Sequence, residues 1–186
     1  MPPDTPPTSQ QTLTLQEAID VAVQHHTAGE LTQAESVYHQ ILEAHPDQPE
    51  ALHLLGVIAH QKGENERSVD LIKKALSIKP DYADGHYNLG SVYQDQGYAD
   101  EGIKRVDMAL SYKPEKTGWR IKKALFFPVI PQSEEDIQTR RDTLTQNIAA
   151  LTNENLSVSD PALDTGITNF YLAYHCLLYT SDAADE

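Results

Sequence analysis

The sequence predicts an all-α protein, a right-handed superhelix of stacked helix pairs (an α-solenoid) followed by a short helical connector. Three consecutive blocks of 34 residues, 15–48, 49–82 and 83–116, repeat without a gap. Each block has small residues at two positions where helices must approach, a glycine where a first helix must stop, and a proline near its end. Because each helix pair buries its apolar face on its neighbours, we expect stability to be a sum of repeat and interface terms.

Recurring positions define the elements of each block. Small residues at block positions 8 and 20 predict close contact between a first and a second helix. Glycine at position 15 predicts the turn between them, and proline at position 32 predicts the end of the second helix. The residues are Ala22, Gly56 and Gly90 at position 8; Ala34, Ser68 and Gly102 at position 20; Gly29, Gly63 and Gly97 at position 15; and Pro46, Pro80 and Pro114 at position 32.

The segments around the blocks differ from them in composition. Residues 1–11 hold four prolines among polar residues and are expected to be a disordered tail. Residues 12–125 are expected to contain the three repeats and a capping helix at 115–125. In this helix Trp119 is either a capping aromatic or a ligand-stacking residue, and Arg120, Lys122 and Lys123 are expected to face water.

Prolines at 128 and 131 end the helical pattern after the capping helix. Residues 126–132 therefore predict an extended joint, the start of a helical connector over 126–175. Ser133 begins a predicted helix that runs to about Leu151, with an acidic first turn that suits the helix dipole. A last helical segment is predicted from about Pro161 to His175.

The charge of the chain excludes several function classes. Its formal net charge is −14, and the first 61 residues contain no Lys or Arg. Nucleic acid and anionic membranes are thus poor partners, because phosphate contacts need clustered cations. There is no basic, apolar signal-peptide pattern and no apolar run near the roughly 20 residues of a membrane span. We expect a cytoplasmic protein, although the single Cys176 excludes only an internal disulfide and a multi-Cys zinc site.

Residues 15–116 resemble the tetratricopeptide repeat (TPR) in period, in the small residues at positions 8 and 20 and in the proline at 32. The resemblance implies that the first helices line a concave groove that binds a protein or peptide. The groove positions contain no Lys or Arg, so the clamp with which chaperone-binding members hold a terminal carboxylate is absent. The groove residues that the resemblance implies are Asp20, Val23, His26, His53, Val57, His60, Tyr87, Asn88, Ser91 and Gln94.

The groove could have two more specific functions: an asparagine ladder for a peptide backbone and a histidine metal site. Asn88 occupies the position at which O-linked N-acetylglucosamine transferases carry a ladder of asparagines that bind a peptide backbone. Asp20 and Leu54 replace it in the other repeats, so a solvated asparagine is an equal alternative. His26 and His60 share position 12, but no further ligand at metal-binding spacing completes a site. We therefore predict no metal site, no catalytic residue and no cofactor-binding residue in this chain.

The connector resembles the segment that follows the repeats in bacterial SPINDLY-type O-linked N-acetylglucosamine transferases. The matching residues are Pro128 to Pro131, Ser133 to Glu135, Arg140, Arg141 and Asn169 to His175. The resemblance implies a catalytic region beyond His175 that uses UDP-N-acetylglucosamine, so that this chain would present protein substrates to it. The alternative is a stand-alone TPR scaffold without enzymatic activity. Residues 176–186, CLLYTSDAADE, resemble a translated sequencing-library adapter and are expected to be a non-native tail.

Overall fold

The computed structural model describes residues 13–125 and 133–153, which contain eight α-helices and no strand. The chain divides into two compact units, Met1–Pro80 and Asp81–Glu186. Four predicted features lie outside the described residues: the disordered tail at 1–11, the extended joint at 126–132, the last helical segment at 161–175 and the adapter-like tail at 176–186. The helices are α1 (Leu15–Thr27), α2 (Leu31–Ala44), α3 (Pro49–Gln61), α4 (Asn65–Ile78), α5 (Ala83–Asp95), α6 (Ala99–Tyr112), α7 (Thr117–Ala124) and α8 (Glu134–Thr152).

Glycine closes the first helix of every block in the same way. Gly29 and Gly63 have φ of 79° and Gly97 has φ of 86°, a left-handed conformation that costs any residue with a Cβ. After α1, the amide of Glu30 donates to the carbonyl of His25 at 2.9 Å and that of Gly29 to His26 at 3.0 Å. This pair of bonds is a Schellman motif, which satisfies helix carbonyls while the chain reverses.

The small residues at positions 8 and 20 lie where paired helices cross. Ala22 and Ala34 are both 0% exposed in the first pair. At Gly56, an added Cβ would lie 2.7 Å from Cγ1 of Ile72 on α4. At Gly90, it would lie 2.9 Å from the backbone oxygen of Gly102 on α6. Helices in van der Waals contact at these points have no room for a side chain.

The first unit is built on an apolar core between α1, α2 and α3. Ile19, Tyr38, Leu55 and Ile58 form it, and Tyr38 is 0% exposed. No hydrogen-bond partner of the Tyr38 hydroxyl occurs among the described residues. Burial, with a smaller contribution from Glu50, raises the pKa of Tyr38 to about 12. The hydroxyl is thus a polar group held in an apolar site.

Glu35 of α2 joins the second helices of the first unit electrostatically. Its carboxylate accepts hydrogen bonds from Nζ of Lys62 and, at 2.9 Å, from Nη2 of Arg67. Arg67 also donates to Glu64 at 2.7 Å. The hydrogen bond from Lys62 is the main cause that holds the pKa of Glu35 below its usual value. This half-buried network fixes α2 against the start of α4.

Helix starts are unequal along the chain. Thr14 and Glu17 form a capping box at α1, with the amide of Glu17 donating to Oγ1 of Thr14 at 3.3 Å and the amide of Thr14 donating to Glu17 at 2.7 Å. The helices α2 to α7 begin without a side-chain cap. Pro49 at the first turn of α3 needs no partner for an amide hydrogen.

The second unit continues past the third block with α7 and α8. α7 lies within the predicted capping segment 115–125, and α8 covers the helix predicted from Ser133 to about Leu151. Nδ2 of Asn147 donates to the carbonyl of Ala124 at 3.3 Å, which joins α8 to the end of α7. None of the helices described for this chain is both long and apolar enough to cross a membrane.

Candidate functional site

The predicted groove residues of the first unit lie on α1 and α3, the first helices of their blocks. Asp20 is exposed and accepts a hydrogen bond from Gln16 at 2.9 Å. Val23 is half-buried and packs against the apolar core. Nε2 of His26 lies 2.9 Å from Oε1 of Gln61, so α1 and α3 are joined by a polar contact on this face.

The residues on α3 are less accessible than those on α1. Val57 and His60 are half-buried, whereas His53 is only 3% exposed. A side chain so enclosed has almost no surface to offer a ligand, and its burial fits a structural role better than a binding one. In the parts of the chain that are described, no group of three or more His, Cys, Asp or Glu side chains is placed to hold a metal ion.

In the second unit, α5 carries Tyr87, Asn88, Ser91 and Gln94, all half-buried. The Tyr87 ring stacks on Trp119 of α7 with centroids 4.6 Å apart and an angle of 14° between planes. Trp119 is 8% exposed, so one face of Tyr87 is covered. Burial raises the pKa of Tyr87 to about 12. This contact agrees with the reading of Trp119 as a capping aromatic.

The prediction that Lys122 of α7 faces water is wrong, because its side chain is half-buried and contacts α5. Its Nζ donates to Oγ of Ser91 at 2.8 Å and lies 5.0 Å from the centroid of the Tyr87 ring. Desolvation lowers the pKa of Lys122, while the charge of Asp95 acts in the opposite sense. The long aliphatic stem lets the ammonium reach across to α5, where it meets predicted groove residues.

The other basic side chains around α7 have different surroundings. Lys113 pairs with Asp84 at 2.6 Å and lies 5.9 Å from the Trp119 centroid. Lys123 pairs with Asp107 of α6. Lys116 lies 5.8 Å from the Trp119 centroid, an attraction between a cation and an aromatic face. Lys122 differs from its neighbour Lys123 in that its ammonium contacts a hydroxyl and an aromatic ring.

A signal for Lys122 exists in the sequence. When the 34-residue count continues beyond residue 116, Ala124 falls at position 8, a small residue as in the three blocks. Lys122 then falls at position 6, the same place as Asn88. The helix α7 is therefore in register with the first helices, and its position-6 residue belongs on the face that carries the predicted groove.

Comparison with known proteins supports the fold. Residues 58–97 match the family model for the TPR repeat. No curated protein sequence matches the chain. These 40 residues include the end of the second block and the start of the third, so the repeat assignment holds for that part of the chain.

Solved structures extend the likeness to most of the chain. MamA is 18% identical with a TM-score of 0.62, and the match covers 75% of this chain and 77% of that one. MamA 41-end from Desulfovibrio magneticus RS-1 is 15% identical with a TM-score of 0.60, covering 77% and 78%. A mutant O-GlcNAc transferase of Thermobaculum terrenum is 24% identical with a TM-score of 0.60.

The last match covers 75% of this chain but 27% of the transferase, so the chain spans about a quarter of that enzyme. At these identities the structures establish the fold alone. The all-α TPR solenoid predicted from the period is confirmed.

Proposed function

We propose that this chain is a protein-interaction module that binds extended peptide segments along its first helices. The observation that carries the proposal is the face of α5, where half-buried Asn88, Ser91 and Gln94 recur at intervals of three residues. Such side chains carry hydroxyl and amide groups, the types of group that form hydrogen bonds with a peptide backbone. The TPR match supports a protein partner, and the acidic charge is unfavourable for binding nucleic acid or an anionic membrane. We also propose that the protein is cytoplasmic.

We further propose that the module is part of a protein O-GlcNAc transferase-like glycosyltransferase and presents protein substrates to it. The resemblance of the connector at 126–175 supports this, together with the likeness to the Thermobaculum terrenum enzyme. UDP-N-acetylglucosamine would be bound by lobes outside this chain, and the TPR blocks would contact only the protein substrate.

A stand-alone scaffold is the second candidate. The likeness to MamA supports it, since the match covers 77% of that chain. In this case the module would bind its partner and perform no chemistry. The candidates differ in the coding sequence beyond His175: a reading frame that continues into nucleotide-sugar lobes supports the transferase, and one that closes soon after supports the scaffold.

The transferase proposal has a biochemical test in the full parent protein. Deletion of residues 15–116 should abolish sugar transfer to protein while leaving the slow hydrolysis of UDP-N-acetylglucosamine in place. The 186-residue chain alone should show no turnover of that sugar nucleotide. Equal protein glycosylation with and without the repeats would contradict a substrate-presenting role.

A further inference from the structure

Lys122 provides a positive charge on the α5 face of the second unit. The groove positions of α5 contain no Lys or Arg, and Lys122 reaches this face from α7. Its ammonium contacts two neutral groups, the Ser91 hydroxyl at 2.8 Å and the Tyr87 ring at 5.0 Å. Neither neutralises the charge.

Two neighbouring lysines have their charge paired with a carboxylate. Lys113 and Lys123 have carboxylates of Asp84 and Asp107 within salt-bridge distance. The charge of the exposed Asp95 also acts on Lys122, against the effect of burial, but the groups that its ammonium contacts are the Ser91 hydroxyl and the Tyr87 ring. A partly buried ammonium whose contacts are neutral gains more from an incoming carboxylate than an exposed one, because water screens it less.

The surroundings of Lys122 favour a peptide carboxylate over a small anion. Ser91 lies on α5 one turn from Asn88 and one turn from Gln94, so an amide side chain lies on either side of the hydroxyl that the ammonium contacts. Trp119 stacks on the Tyr87 ring with centroids 4.6 Å apart, and the Lys122 ammonium lies 5.0 Å from the centroid of the same Tyr87 ring. A peptide can contact both the Lys122 ammonium and polar side chains of α5, whereas a free anion can use only the charge.

We propose that the α5 face of the second unit binds a peptide segment with an acidic side chain, whose Asp or Glu carboxylate pairs with Lys122. The proposal rests on the peptide-binding function above and adds the chemistry of the segment. It makes Lys122 a specificity-determining residue, with selection against neutral segments of the same shape.

The test is a selection from a random twelve-residue peptide library displayed on phage, carried out on the full chain. Three matched variants accompany the natural protein: Lys122→Met keeps the aliphatic stem and removes the charge, Lys122→Arg keeps the charge, and Lys123→Met removes a neighbouring charge that Asp107 already pairs. Circular dichroism and thermal unfolding establish that each variant is folded. Affinities of the selected peptide and its Glu→Gln or Asp→Asn form are then measured by fluorescence anisotropy.

The natural chain, Lys122→Arg and Lys123→Met should enrich peptides with one fixed acidic position, and Lys122→Met should not. For the selected peptide, loss of either charge should weaken binding about tenfold or more, about 1.4 kcal/mol, and loss of both should add little further. Selected peptides without acidic preference, or an equal loss for acidic and amide peptides in Lys122→Met, would overturn the role of Lys122 alone. Failure of every variant to select any peptide would overturn the peptide-binding function as well.

Discussion

The Gly90→Ala variant tests how closely α5 and α6 approach each other. A close crossing lowers the free energy of unfolding of this variant, and an open crossing raises it. An added Cβ would lie 2.9 Å from the backbone oxygen of Gly102 and 2.9 Å from Cγ2 of Val106, against 3.4 Å for the start of ordinary contact. The helices would have to separate locally by about half an ångström, and overpacking of this kind costs about 1–3 kcal/mol.

Helix propensity acts in the opposite direction. Alanine is favoured over glycine inside a helix by about 1 kcal/mol, so an uncrowded Gly90→Ala variant would be more stable than the natural protein. We expect the clash to exceed this gain, giving a net loss of up to about 2 kcal/mol, and we expect Gly90→Leu to lose more because its side chain extends further into α6.

Urea unfolding followed by far-ultraviolet circular dichroism measures the change. Exposed Lys104 on α6 offers the control, because the difference between Lys104→Gly and Lys104→Ala reports the propensity term without a crossing. If Gly90→Ala is stabilised by as much as this control difference, the close crossing is refuted.

Three further changes test other parts of the fold. Gly63→Ala should lose about 1–2 kcal/mol in urea unfolding from backbone strain alone, since its φ is 79° and nothing lies within 4 Å of an added Cβ; a smaller loss in Gly63→Asn would identify the strain, and an unchanged midpoint for alanine would contradict it. Tyr38→Phe should be neutral or stabilising by up to about 1 kcal/mol in thermal unfolding, because it removes a buried hydroxyl without a partner; a clear loss would indicate that the hydroxyl is hydrogen-bonded. Glu35→Gln should lose at most about 1 kcal/mol at neutral pH. The pKa of Glu35 is lowered in the folded state, so its stabilisation is present above the usual 4.5 and is lost as the pH falls through the folded pKa; a difference from Glu35→Gln that stays constant with pH would exclude the ion pairs.

The repeat architecture could be predicted because its rules are local. A glycine at position 15 must supply a left-handed turn, and the structure gives Gly29, Gly63 and Gly97 that conformation. Small residues at positions 8 and 20 must meet, as they do at Gly90 and Gly102. Both requirements concern the backbone, so they recur at fixed positions of the repeat and can be recognised from residue spacing.

The candidate site is harder to predict because it depends on long side chains and on depth. A lysine on a short helix beyond the repeats usually lies in water, yet the stem of Lys122 carries its ammonium to Ser91. The segment after residue 116 that contains Lys122 lacks the glycine and proline of a complete block, so the sequence gives little indication that it continues the 34-residue count. His53 occupies a groove position but is only 3% exposed. The position of a residue within the 34-residue block indicates which face of the helix it lies on, but not how deeply it is buried.

The capping box at Thr14 changes the order in which the first turns of the helices are expected to exchange their amide hydrogens with solvent. A first helix at the edge of a structure usually frays early, so its amide hydrogens exchange with solvent quickly. Here the amide of Glu17 is held by Thr14, whereas the starts of α2 to α7 have no side-chain acceptor. The opening turn of α1 should therefore retain its protons longer than the opening turns of helices further inside the chain.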